Sequence, residues 1–180
     1  MINFKQLTIP EVLLIEPQVF KDDRGFFFES FNQKEFEKAI DRKVTFVQDN
    51  HSKSSMGVLR GLHYQEEPYE QAKLVRVTKG EVWDVAVDIR KGSLSYGLWV
   101  AELLSEENKK QLWIPEGFAH GFLVLSIEAE LQYKTTNFYN KTYEKSIIYN
   151  DNDLNIKWPT LNKPIILSDK DLNAPSFSQT

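Results

Sequence analysis

Cysteine is absent from this 180-residue chain, which removes disulfides, thiolate nucleophiles, iron–sulfur clusters and cysteine-ligated zinc together. No stretch approaches the ~20 apolar residues of a membrane-spanning helix, and the opening Met1–Val12 lacks the charged-then-apolar layout of a secretory leader. A cytoplasmic location is therefore the expectation. Basic residues do not predominate: 22 Lys and Arg stand against 26 Asp and Glu, and the net charge of −4 is spread without a basic stripe. A nucleic-acid backbone is not an expected partner, although a small anion held by a few local cations remains open. No repeat, low-complexity tract or Pro/Gly-rich linker divides the sequence. Residues 1–180 are expected to form one domain, large enough to bury a continuous core.

Hydrophobic residues make up 41% and charged residues 27% of the chain, a balance that folds. The 12 Phe, 7 Tyr and 4 Trp favour strands and offer flat surfaces for stacking. One helix signal is clear over 32–40: Asn32 as N-cap, Glu35 three residues on, and Phe36, Ala39 and Ile40 on one face. Elsewhere short β-like runs recur between turn signals. They are Val12–Ile15, Gly25–Phe31, Val44–Asp49, Val58–Tyr64, Lys73–Thr78, Glu81–Ile89, Tyr96–Leu103, Gln111–Ile114, His120–Leu125 and Leu131–Thr136. Lys79-Gly80 reads as a hairpin turn, and Pro115-Glu116-Gly117 as a bend before the following strand. The pattern predicts an all-β antiparallel jelly roll with one or more short helices. From Leu154 onward it weakens into loop or short helix packed on the barrel.

The candidate chemistry rests on few side chains. Histidine occurs only at positions 51, 63 and 120. His63 follows Gly61, which marks a bulge or a close backbone approach; a hydrogen-bonded core histidine is the alternative reading. Pro115-x-Gly117-x-x-His120 looks like half of a cupin metal motif. The other half needs two histidines one residue apart, so that alternate strand residues share an ion. Here that pair is His63 and Gln65, so a metal-free cupin-like barrel is expected. Without metal or thiol, the inventory suits proton abstraction beside a carbonyl: His63 as base, Lys73 as enolate stabiliser and Tyr133 as a neutral acid. A solvated strand-end lysine and a half-buried packing tyrosine are the plain alternatives. Arg24 and Arg60 are candidates for holding a diphosphate. Phe20, Phe26–Phe28 and Tyr139 are candidates for stacking on a base, with core packing or a subunit contact as the alternative for the Phe cluster.

Longer strings narrow the choice. Those around Arg24 and Glu29, Phe46–Ser52, Leu59–Gln65, Gly80–Asp88 and Trp113–Phe122 together resemble the dTDP-4-dehydrorhamnose 3,5-epimerase family, from about Pro10 to about Pro175. The resemblance implies a cupin-type jelly roll, a homodimer and no cofactor. It also implies epimerisation at C3 and C5 of dTDP-4-dehydro-6-deoxy-D-glucose to dTDP-4-dehydro-L-rhamnose, a step toward surface polysaccharides. In that family the residue matching His63 is the base, that matching Tyr133 the acid, and that matching Lys73 supports the enolate. Asp171 would orient His63. Binding positions carry over onto Arg24, Glu29, Gln48, Asn50, Arg60, Lys73, His120, Glu144 and Lys170, with Tyr139 as the stacking aromatic. The resemblance further implies that an N-terminal strand crosses to the partner subunit and delivers Arg24 and Glu29 there. Competing readings are a single-site (C3 or C5) epimerase, an epimerase of another 4-keto nucleotide sugar such as a GDP-heptose, a metal-dependent cupin, and a non-catalytic sugar-binding barrel.

Overall fold

The structure, a computed structural model, describes residues 2–180. Its strands are β1 (Asn3–Gln6), β2 (Leu13–Glu16), β3 (Phe20–Asp22), β4 (Gly25–Phe27), β5 (Gln48–Ser55), β6 (Leu59–Gln65) and β7 (Lys73–Lys79). They continue as β8 (Glu81–Asp88), β9 (Trp99–Ser105), β10 (Gln111–Ile114), β11 (Phe118–Val124), β12 (Glu128–Thr135) and β13 (Glu144–Ser146). Helix α1 spans Gln33–Ile40 and α2 spans Asp169–Leu172, and a 3₁₀ turn covers Phe177–Gln179. A six-stranded sheet in the order β1-β2-β10-β7-β12-β5 faces a five-stranded sheet in the order β13-β6-β11-β8-β9, and β3 and β4 form a separate hairpin. The strand pairs within these sheets are antiparallel. The expected all-β jelly roll is what forms.

Alternation places the side chains. On β12, Ala129, Leu131, Tyr133 and Thr135 point between the sheets while Glu128, Glu130, Gln132 and Lys134 point out, the period of two that a pleated strand imposes. Between the sheets lie Val75, Val77, Val82, Leu112, Phe122 and Leu131 among others, all buried. Each such side chain contributes ~1.5–3 kcal/mol relative to exposure. The back of the five-stranded sheet is covered by the C-terminal segment, where Ile147, Leu154 and Phe177 pack on Leu62, Val85 and Val87. The back of the six-stranded sheet is covered by α1. Its Phe36 is 2% exposed and stands edge-on to Trp113 with centroids 5.1 Å apart. Asn32 caps α1 as the sequence predicts, its Oδ1 accepting the Glu35 N–H at 3.2 Å.

Lys79-Gly80 is not a hairpin turn. The strands on either side of it, β7 and β8, belong to different sheets, so the chain crosses the barrel there. Gly80 has φ +73, and a Cβ at that position would run into the Glu128 carbonyl oxygen. A lysine followed by glycine between two apolar runs reads the same way for a corner as for a hairpin, which is why the sequence misplaces it. The Pro115–Gly117 bend likewise joins one sheet to the other, from β10 to β11. Other boundaries shift: the expected strand over Val44–Asp49 begins only at Gln48, Gly25–Phe31 stops at Phe27, and Tyr96–Leu103 starts at Trp99. β1, β3 and β13 carry no strand signal strong enough to be read.

Candidate active site

A bulge aims the first residues of the site. His63 pairs with His120 and Arg60 with Phe122, so β6 carries one more residue than β11 across that interval. Arg60 and His63 thereby face the same interior although three positions apart, while Leu62 between them packs on the outer cluster. Only glycine fits the bulge. Gly61 has φ +119, and a Cβ there would lie 2.6 Å from the Gly121 Cα and 2.7 Å from the His120 carbonyl oxygen. Both readings of Gly61, bulge and close approach, hold.

His63 Nε2 lies 2.6 Å from Asp171 Oδ1. Asp171 is 3% exposed and its second oxygen accepts the Ser168 hydroxyl at 2.9 Å. Burial alone would raise the Asp171 pKa. The hydrogen bond and charge of His63, with Ser168 and Lys170, outweigh it and hold the carboxyl below its ordinary value. A carboxylate in that place accepts a hydrogen bond from Nε2–H, which selects the tautomer that leaves His63 Nδ1 unprotonated.

Lys73, the first residue of β7, is 8% exposed and donates to the His63 carbonyl oxygen at 3.2 Å. Burial pushes its pKa down to about 8, while the charges of Asp84 and Glu144 resist the shift. Lys73 is therefore an ammonium at neutral pH, and a weakly solvated one. Tyr133 faces inward from the same sheet as Lys73, opposite His63, and is paired with Asn50 on one side and Val75 on the other. Burial raises its pKa against the opposing charge of nearby Arg60, and Glu144 adds to the rise. The phenol stays protonated. The Glu144 charge thus acts on both Lys73 and Tyr133, and the His63 charge in turn helps hold Glu144 below its ordinary value.

Most of the other expected binding residues line the same end of the barrel. Gln48 and Asn50 occupy inward positions of β5, joined by a 2.9 Å hydrogen bond between their side chains. Arg60 is held by the Ser54 hydroxyl at 3.0 Å. Glu144 accepts from the Tyr139 hydroxyl at 2.9 Å and pairs with Lys170 at 2.7 Å, so Tyr139, Glu144 and Lys170 form one rim. His120 is 7% exposed, and its Nε2 lies 3.0 Å from each oxygen of Asp84, itself fully buried. Sequence reasoning did not single out Asp84. The only available signal was an acid inside the apolar run of β8, at a position whose even-numbered neighbours face inward. His51 is not part of the site: it lies on the outer face, 3.0 Å from Glu130.

Arg24 and Glu29 are not brought to this interior. Both are exposed, and Arg24 closes on Asp22 within the β3–β4 hairpin. Phe20, Phe26 and Phe27 of that hairpin are 54%, 56% and 71% exposed, and Lys109 Nζ stands 4.0 Å over the Phe26 ring. Gln65, at the position where a metal-binding cupin would carry histidine, donates its amide to two backbone carbonyls and accepts from a third residue's N–H. Among the described residues no group of three or more His, Cys, Asp or Glu is placed to hold a metal ion, and no helix is long and apolar enough to cross a membrane.

The geometry can be set beside known proteins. The family model described as dTDP-4-dehydrorhamnose 3,5-epimerase matches residues 6–179. A protein of that name from Shigella flexneri is 64% identical, covering 97% of this chain and 96% of its own. One from Pseudomonas aeruginosa is 58% identical, covering 96% and 94%. The solved structure of the dTDP-6-deoxy-D-glucose-3,5-epimerase of Legionella pneumophila, in complex with dTDP-4-keto-L-rhamnose, superposes with a TM-score of 0.95 at 50% identity, covering 99% of this chain and 94% of that one.

Proposed function

Since this chain belongs to the dTDP-4-dehydrorhamnose 3,5-epimerase family, we propose that it converts dTDP-4-dehydro-6-deoxy-D-glucose to dTDP-4-dehydro-L-rhamnose by inverting C3 and C5. The observation that supports this most directly is the placement of a carboxylate-held histidine on one sheet and a protonated tyrosine on the facing sheet, with the Lys73 ammonium reaching from the tyrosine's sheet to the histidine's backbone carbonyl.

Carbons 3 and 5 flank the C4 ketone, so their protons become acidic once the developing oxyanion is stabilised. His63 Nδ1 removes the proton, and the C–H electron pair passes into an enolate whose oxygen is met by the Lys73 ammonium. Asp171 stabilises the imidazolium that results. Tyr133 then delivers its proton to the carbon from the other face and inverts it, and solvent resets the imidazolium and the phenolate. Arg60, His120 and Lys170 hold the diphosphate and sugar, Gln48 and Asn50 take polar groups of the ligand, and Tyr139 stacks on the thymine. No electron is gained or lost, so the reaction requires no redox cofactor.

The test is proton NMR of the 4-keto substrate with the protein in deuterated water, run with and without exhaustive chelation. Deuterium should appear at both C3 and C5 with inversion at each, and chelation should change neither. Label at one carbon alone would make the protein a single-site epimerase. Loss of activity on chelation, restored by a divalent metal, would overturn the metal-free mechanism.

Arg24, Glu29 and the exposed aromatics of the β3–β4 hairpin fit a homodimer in which this segment completes the neighbour's site, for three exposed phenylalanines on one short hairpin are an uncommon arrangement in a free subunit. Chains carrying His63→Ala and chains carrying Arg24→Ala should each be poor enzymes. Mixed and reassembled, they should recover about a quarter of wild-type activity, because half the dimers are mixed and each holds one intact site. Mixed dimers that gain nothing would show that Arg24 serves its own chain or no site.

A further inference from the structure

The loop from Asn137 to Asn140, between β12 and β13, carries Tyr139, and its backbone is held by glutamine side chains from three separate parts of the chain. Gln71 Nε2 donates to the Asn137 carbonyl oxygen at 2.8 Å. Gln48 Oε1 accepts the Tyr139 N–H at 3.0 Å. Gln65 does most: its Nε2 donates to the Phe138 carbonyl oxygen at 3.2 Å and to that of Tyr69 at 2.5 Å, and its Oε1 accepts the Asn140 N–H at 2.6 Å. Its side chain is buried, at 7% exposure. It is the last residue of β6, two positions beyond His63 and therefore on the same face.

We infer that Gln65 is a positioning residue for nucleotide binding, gripping the 137–140 loop from both sides of Tyr139 so that the ring is already placed when the base arrives. The inference rests on the reading of Tyr139 as the stacking aromatic. The physical ground is that Tyr139 itself is 51% exposed and has little packing to hold it. Its place is set by its backbone, by the hydroxyl bond to Glu144 and by the groups that pin its neighbours. An amide suits this task where a histidine or carboxylate would not, since two carbonyls and one N–H demand two donors and an acceptor on one planar group. The position that a metal-binding barrel would give to a ligand is here committed to ordering a loop. Ordering it in advance removes a conformational cost from binding.

Calorimetric titration with dTDP alone tests this on four proteins: wild type, Gln65→Leu, Tyr139→Ala and the double variant. Gln65→Leu should weaken binding about tenfold, the scale of leaving buried backbone groups unpaired, and should raise KM more than it lowers kcat. Tyr139→Ala should lose a comparable amount through stacking. The double variant should bind about as weakly as Tyr139→Ala alone, because a grip on an absent ring has nothing to position. Additive losses, or wild-type binding by Gln65→Leu while Tyr139→Ala is weak, would overturn the inference and leave the stacking role standing. Wild-type binding by Tyr139→Ala would remove both.

A second variant covers the case in which Gln65→Leu does not fold. Gln65→Glu keeps the shape but sets a carboxylate against the two carbonyls, so dTDP should bind weakly at neutral pH. Binding should recover relative to wild type as acid protonates the new carboxyl and restores a donor. A deficit in Gln65→Glu that does not change with pH, or no deficit, would also overturn the inference.

Discussion

Replacing His63 with alanine is expected to abolish both solvent exchange at C3 and C5 and formation of inverted product, with a loss of about 10²–10⁴-fold or more. The reason lies in the surroundings as much as in the imidazole. His120 is tied through Nε2 to both oxygens of a buried Asp84, and His51 lies on the outer face against Glu130, so neither stands ready to substitute. Asp171→Asn should impair the same step less. The imidazole remains and an amide still bonds it, but no carboxylate stabilises the imidazolium, and an amide that offers its NH₂ would favour the other tautomer. Exchange of deuterium into substrate, followed by NMR at each carbon, checks both. Retention of either exchange or inversion in His63→Ala would show that the base is another group.

Tyr133→Phe is expected to separate exchange from inversion, with the rate of inverted product falling on the order of 10²-fold or more while deuterium still enters the substrate. Abstraction requires only His63, Lys73 and Asp171. With the phenol gone, the enolate has no acid on its far face, and His63, whose proton has exchanged with solvent, returns a deuteron to the face it came from. The product of the variant should therefore be labelled starting material. The phenol suits the role because burial keeps it protonated, and its hydroxyl has no hydrogen-bond partner among the described residues. Equal loss of exchange and inversion would mean that Tyr133 also takes part in forming the enolate.

How much of this was legible in the sequence depends on which face a residue serves. β12, with one apolar face, is readable because alternation writes the core into the sequence, and β7 and β10, buried on both faces, are readable as short apolar runs. β5 shows why the rest is not: Gln48–Ser55 contains no hydrophobic residue, yet it forms an eight-residue strand laddered to β12 from Gln48 opposite Thr135 to Ser55 opposite Glu128. Its inward positions line the site, so polarity there reflects chemistry and erases the period that would reveal the strand. Resemblance rather than periodicity put Gln48 and Asn50 on the list. His63, Lys73 and Tyr133 were legible from residue type and strand position. Asp171 was not, because a distance of 2.6 Å between residues 108 apart in the chain is a product of the C-terminal segment folding back. Asp84 was hidden by its place within an apolar run, and Gln65 was read as a missing metal ligand when its amide has a task of its own.

The crossing at Lys79-Gly80 bears on how the chain reaches this structure. Because β7 and β8 go to different sheets, the tight local hairpin that could nucleate the barrel is missing at its centre, and the strands that close the site find partners far along the chain. β5 must wait for β12 and β2 for β10. Loop-closure entropy must be overcome before those distant pairings stabilise anything, so folding should belong to the slow regime of high contact order, milliseconds to seconds, and not to the fast regime of helical bundles. During synthesis the N-terminal half emerges with β5 unpaired and the aromatic hairpin of β3 and β4 bare. That half stays open to association with other chains until the second half arrives.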